Sequence, residues 1–197
     1  AWPWLNFGLE PWETDAAQYF GASLAGIAVG TAADSYVSTP RVQLGLAGLV
    51  AYLGGVADSQ YVFNRLHGLW ATAVLGDGLT ALQQQAVITD TLDLQRRDGG
   101  WSLSALGPFQ RLDGTSLEPT SDGYATGLAV FVLQQAGVSM EDGRLVKGLD
   151  WLRGHQGVDG SWPASSLNKV RDPFSERGRF MRDVATAYAV LALTAGE

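Results

Sequence analysis

The stretches QRRDGGW (residues 95–101) and QGVDGSW (residues 156–162) decide how this chain is read. They repeat Gln95 and Gln156, Asp98 and Asp159, Gly99 and Gly160, Trp101 and Trp162 at the same internal spacing, 61 residues apart. Asp-Gly is tight-turn chemistry, because glycine takes positive φ without steric cost. The Trp that follows is a large apolar ring able to fold back onto whatever precedes the turn. Each Gln closes a helical pattern, where its amide is placed to bind backbone groups left open at a helix end. The repeat therefore predicts a structural clasp between neighbouring helical hairpins rather than a ligand contact.

Outward from the clasps the pattern is helical. Periodicity and turn residues place seven helices at 14–30, 40–54, 58–75, 78–97, 121–136, 142–155 and 178–195, with no strand. The first, fifth and seventh are apolar nearly all round, which predicts burial on every side. The third is placed with them although Asn64, Arg65 and His67 interrupt it. The sixth is amphipathic, with Leu145, Leu149 and Leu152 on one face and Arg144, Lys147 and Arg153 on the other. The fourth resembles it, and the second joins the outer set by alternation. The segments ATGLAV (125–130) and ATAYAV (185–190) recur 60 residues apart, in step with the clasps. One unit is thus an outer helix, a Trp turn, a long loop and an inner helix. The N-terminal half repeats more weakly, without the Trp turn, from inner helices starting near Asp15 and Ser59.

Composition narrows the function. The chain has 197 residues, no Cys, 13 Lys and Arg, 20 Asp and Glu and a formal charge of −7. Without a Lys/Arg block there is nothing to neutralise a phosphate backbone, so nucleic acid is not an expected partner. Without Cys there is no disulfide, thiolate metal site or Cys nucleophile. His67 and His155 lie too far apart for a zinc signature, so no metal or other cofactor is expected. No apolar run reaches the roughly 18 residues of a membrane helix, so no transmembrane segment is expected. The opening AWPWLNFGLEPWE lacks a signal-peptide pattern, and the start at Ala1 points to a processed chain or a piece of a longer one.

The Gln-x-x-Asp-Gly-x-Trp turns between alternating inner and outer helices resemble the QW repeats of the squalene-hopene and oxidosqualene cyclases. The wider group includes the protein prenyltransferase β-subunits. The resemblance rests on Gln95, Gly99, Trp101, Gln156, Gly160 and Trp162. It implies an all-α fold in which hairpins stack as an α/α toroid. Residues 1–197 then form a single toroid-type domain of about seven helices, a fragment or half of a larger ring, completed by the rest of a longer chain or by a second copy in a homo-oligomer. It implies a terpene-cyclase-like protein acting on an isoprenoid or other apolar ligand; the alternative is a non-catalytic module that binds such a ligand or a protein partner.

Cyclases of this kind start from an acid, the middle Asp of an Asp-x-Asp-Asp-Thr-Ala segment at an inner-helix start. In SDGYATG (121–127), Thr126 matches the Thr and Asp122 the first Asp, while Tyr124 and Ala125 stand where the other carboxylates belong. In RDVATA (182–187), Thr186 matches, Val184 and Ala185 replace the two Asp, and Asp183 is out of register. Asp122 and Asp183 are therefore the catalytic candidates, and a helix N-cap is the competing role for each. Tyr61, Trp70, Tyr124 and Phe131 are the substrate-binding candidates, aromatic faces that an isoprenoid pocket requires. Glu10, Glu13 and Asp15 gather beside Trp12, as acid–base carboxylates or a helix start rich in acids. Lys169, Arg171, Arg177 and Arg179 form a basic loop that either meets phosphate or is simply solvated.

Overall fold

The computed structural model describes residues 3–33 and 35–195, and these are all-helical apart from turns and loops. The helices are α1 (Gln18–Gly30), α2 (Pro40–Val56), α3 (Val62–Leu75), α4 (Ala81–Asp93), α5 (Gly123–Gln135), α6 (Gly143–Gly154) and α7 (Glu176–Thr194). The β pairing among them is one isolated bridge, Leu9 with Glu13. The seven helices fall where the periodicity places them, and their ends are set by local chemistry. α4 begins at Ala81 because Thr80 and Gln83 form a reciprocal cap: Thr80 N–H donates to Gln83 Oε1 and Gln83 N–H to Thr80 Oγ1. α3 starts later than residue 58 because Ala57–Ser59 winds into its own 3-10 turn. α7 starts earlier than 178, since Ser175 caps it by accepting from Gly178 N–H.

The chain divides into two compact units, Ala1–Thr89 and Asp90–Glu197. In the first, α1 lies on α3. Gly68 of α3 lets the Tyr19 ring in; a Cβ there would sit 2.4 Å from the Tyr19 hydroxyl. That hydroxyl donates to Leu53 O and so ties the far end of α2 to α1. Leu53 is the only buried residue of α2. Leu44 is 83% exposed. Pro40–Ser59 is long and apolar enough to cross a membrane by length and composition alone, with a mean hydropathy of 1.2 and 11% of the window buried. Arg41, Gln43 and Tyr52 break its apolar run in the sequence, which hides that length.

In the second unit α5 is the core element, buried from Gly123 through Leu133 as an all-round apolar helix should be. Gly127 brings α7 to backbone contact, with a Cβ position 2.6 Å from Ala189 N. Gly148 of α6 makes room for the Val130 side chain of α5. The expectation of all-round burial fails for α7. Its buried residues are small, Gly178, Ala185, Ala189 and Ala192, while Phe180, Val190 and Leu191 are exposed. Apolar composition set that expectation, but the stripe of alanines does the packing and leaves the larger side chains outside. α1 departs similarly: Gln18 and Ala28 are exposed, and Leu24, Ala25 and Val29 are half-buried.

Candidate functional site

The two Trp turns are built alike. Gly99 and Gly160 both have positive φ, 93° and 81°. Asp98 Oδ1 accepts from Gly100 N–H and the Ser121 hydroxyl; Asp159 Oδ1 accepts from the N–H and hydroxyl of Ser161. Trp101 is fully buried and Trp162 is 2% exposed. The Trp101 indole donates to Thr91 O in the last turn of α4, and the Trp162 indole donates to Leu152 O in the last turn of α6. Each Trp N–H reaches the hydroxyl of an inner-helix threonine, Thr126 and Thr186. One detail of the predicted clasp changes. The indole serves the helix-end carbonyl, whereas the Gln amide closes its own turn, Gln95 on Gly99 O and Gln156 on Gly160 O. The indole reaches the preceding helix because the turn folds it back over that last turn.

The clasp also joins hairpins. Gln95 Nε2 donates to Arg144 O at the start of α6, 2.7 Å away. A Cβ on Gly99 would lie 2.8 Å from Lys147 O, and one on Gly148 would lie 2.8 Å from the Trp101 ring. All of these groups make bonds or contacts within or between the helical hairpins.

The two catalytic candidates part company. Asp122 is buried at the N-terminus of α5, where Oδ1 accepts from Ala125 N–H and Oδ2 from Leu103 N–H, 2.9 and 2.7 Å. It is the N-cap of its helix and the anchor of the loop that begins at Ser102. Burial pushes its carboxyl up to about 7, against the pull of the backbone N–H groups of Ala125, Leu103 and Tyr124. Asp183 is exposed in the interior of α7, so the N-cap role expected for it fails; Ser175 caps that helix.

The four aromatic candidates belong to different units. Tyr124 and Phe131 are buried in α5, with Tyr124 edge-on to Tyr188 at 5.0 Å between centroids. Tyr61 and Trp70 are half-buried, Tyr61 as the N-cap residue of α3 and Trp70 past the middle of that helix. Tyr61 sits in a polar cluster that sequence reading did not assemble. Burial and then the Glu10 carboxylate push its hydroxyl up to about 12, while Asn64 and Thr14 oppose the shift. Glu10 is itself pushed up by burial. Asn64 is fully buried and donates to Ala16 O and Gln60 Oε1. Of the acidic trio, therefore, Glu10 joins Tyr61, whereas Asp15 is exposed and accepts from Asn6.

His67 packs among aromatic rings of α1 and α3. It is fully buried, with ring centroids 4.7 Å from Phe20 and 4.8 Å from Phe63. Nδ1 bonds Phe63 O at 2.8 Å, Nε2 has no hydrogen-bond partner, and burial lowers the ring to about 4. His155 ends α6, stacked on Trp151 at 4.1 Å. No group of three or more His, Asp or Glu side chains placed to hold a metal ion occurs among the described residues. The expected basic loop is only half a loop: Lys169, exposed, and Arg171, half-buried, precede α7, whereas Arg177 and Arg179 are exposed in its first turn, because Ser175 starts that helix early.

Besides the Tyr61 cluster, two further features lay beyond sequence reading. Arg111 is buried in the loop after the first clasp, where it bonds Ser166 O, Ser116 O and Glu118 and so ties two long loops together. A single arginine among Gly, Pro and Ser carries no pattern that could have revealed it. The second is a cleft of about 540 Å³ between α1 and α2, walled by Ala25, Val29, Val42, Leu46 and Leu49 with Tyr36, Thr39 and Arg41 at its rim. The apolar pattern of both helices was visible, but not that they stand apart. Compared with known proteins, the chain matches no family model and no curated protein.

Proposed function

We propose that this chain is a non-catalytic helical-hairpin module of the terpene-cyclase type, which holds an isoprenoid-like apolar ligand without cyclising it. The observation that carries this is the fate of Asp122. An acid that protonates an alkene must be strong and aimed into a dry pocket. Here both carboxylate oxygens are occupied by backbone N–H groups, and the carboxyl, at about 7, is a weak acid. Asp183, in solvent, has no closed pocket around it. What remains is an apolar concavity, the α1–α2 cleft, whose volume lies in the range of small-ligand sites.

The test has two arms. Geranylgeraniol, followed by quenching of intrinsic Trp fluorescence, is expected to bind saturably, and Leu46→Asp in the cleft wall to weaken binding by about 10-fold or more. Squalene and oxidosqualene, incubated with the chain and extracted for mass spectrometry, are expected back unchanged. A cyclic product that disappears in Asp122→Asn would reinstate Asp122 as an acid. Binding unaffected by Leu46→Asp would remove the cleft from the proposal.

A further inference from the structure

The α1–α2 cleft is not apolar throughout, and its polarity has a direction. α2 lines it with one stripe at helical spacing. The polar members stand at the N-terminal end, Thr39 and Arg41, joined there by Tyr36 from the 3-10 turn before the helix. From Val42 through Leu46 to Leu49 the stripe is apolar, and Leu49 lies eight residues beyond Arg41, about 12 Å along the axis. Gly45 leaves the middle of the groove open, since a Cβ on it would meet nothing within 4 Å.

The charge at the polar end runs against that of the whole chain. The protein carries 20 Asp and Glu against 13 Lys and Arg, yet no acidic residue lines the cleft and one cation does. Arg41 is exposed and makes no ion pair among the described residues. The helix end adds to it. Thr39, the N-cap residue, donates its hydroxyl to Tyr36 O and accepts no helix N–H, and no acid occupies the first turn. Pro40 has no N–H to offer. The N–H groups of Arg41 and Val42 therefore have no side-chain cap, and the positive end of the helix dipole stands uncompensated beside the guanidinium.

We infer that the cleft takes a single-chain amphiphile with a carboxylate head, lying along α2 with its hydrocarbon against Val42, Leu46 and Leu49 and its head at Arg41. The inference rests on the apolar-ligand reading above and adds to it the class of head group and the direction of binding. A guanidinium meets a carboxylate through two parallel hydrogen bonds. One cation matches one negative charge; a diphosphate head would bring further charge for which the cleft holds no second cation. The polar end is exposed, so the head keeps part of its hydration while the chain is desolvated, the division that costs a charged ligand least.

Three ligands that share one tail test this: geranylgeranoic acid, geranylgeraniol and geranylgeranylamine, each titrated at neutral pH into the full chain and followed by calorimetry. The acid is expected to bind tightest, about 5-fold or more over the alcohol, with the amine weakest. Added salt is expected to narrow the gap between acid and alcohol. Arg41→Gln keeps an exposed polar side chain at the same place, and circular dichroism checks that the variant folds; it is expected to bring the acid close to the alcohol. An acid that binds no tighter than the alcohol, or whose advantage survives Arg41→Gln undiminished, would overturn the head-group inference and leave the cleft as an apolar site. Binding of none of the three would overturn both.

Discussion

The two compact units use the same alternation of inner and outer helices, yet only one of them is clasped. In residues 90–197 the outer helix α6 is held by the Trp101 ring against Gly148, by Gln95 on Arg144 O and by its packing on α5. In residues 1–89 no Trp turn follows α2. The Tyr19 hydroxyl and Gln83, whose amide donates to Gly54 O, hold its C-terminal end, while its N-terminal half stands off α1 and opens the cleft. The second unit has a Trp ring wedged against its outer helix, and the first has a cleft along its outer helix instead. Under the proposed function the clasped unit is the rigid one and the unclasped unit holds the ligand, a division that the following experiments test.

The strongest way to break this comparison is to remove a clasp. Trp101→Ala deletes a fully buried indole and its bond to Thr91 O, a loss of about 3–5 kcal/mol. The expected outcome is local: amide hydrogen exchange accelerates through α5 and α6 while α1 and α3 keep their protection. Equal loss of protection in α1 and α3 would mean that the units do not differ in the way proposed.

The units are also expected to respond to pH in opposite directions. His67 is held neutral by burial, at about 4 against an ordinary 6.5. The unfolded chain therefore binds more protons between those values, and the first unit loses stability as pH falls from 6.5 through about 4. Asp122 is shifted the other way, up to about 7 from 3.8. The native state binds the extra proton, and the second unit's contribution from this group is full below about pH 4 and lost as pH rises through 7. Each effect is on the order of 3 kcal/mol across its window. Hydrogen exchange measured from pH 4 to 7 separates the two, with His67→Leu flattening the response of α3 and Asp122→Asn that of α5. Parallel pH profiles in the two units would contradict this assignment.

What could be read from the sequence divides along the same line. The clasps were legible because their chemistry is local: Asp-Gly must turn, and a Trp after the turn must find cover. α5 was legible because an element apolar on every side has only one stable environment. α2 and α7 were not, since an apolar pattern states what a helix would bury and not whether a neighbour is there to cover it. The cleft, the open α7 face and the Glu10–Tyr61 cluster all arise from spatial relations between segments that share no sequence signal. Of the two roles the sequence left to Asp122, the cap is the one the structure shows, in keeping with neighbours Tyr124 and Ala125 that depart from a catalytic pattern. The second bond that fixes its role, from Leu103 N–H, spans 19 residues and is invisible to spacing.

The smallest expected effect sharpens the comparison inside the clasped unit itself. Gln95 and Gln156 occupy the same repeat position, and composition alone predicts the same cost for truncating either. The structure separates them. Gln95 is half-buried and its Nε2 bonds Gly99 O at 2.8 Å and Arg144 O at 2.7 Å, so Gln95→Ala leaves two carbonyls to find other donors. Gln156 is exposed and makes one bond, to Gly160 O at 3.1 Å, where water replaces the lost amide readily. A net hydrogen bond contributes about 1 kcal/mol, and less where solvent substitutes. Gln95→Ala is therefore expected to lower unfolding free energy by about 1–2 kcal/mol and Gln156→Ala by about 0.5 kcal/mol or less, read from urea midpoints at unchanged m. Equal costs would show that the reach from Gln95 to α6 adds nothing, and that the clasp joins hairpins through its Trp ring alone.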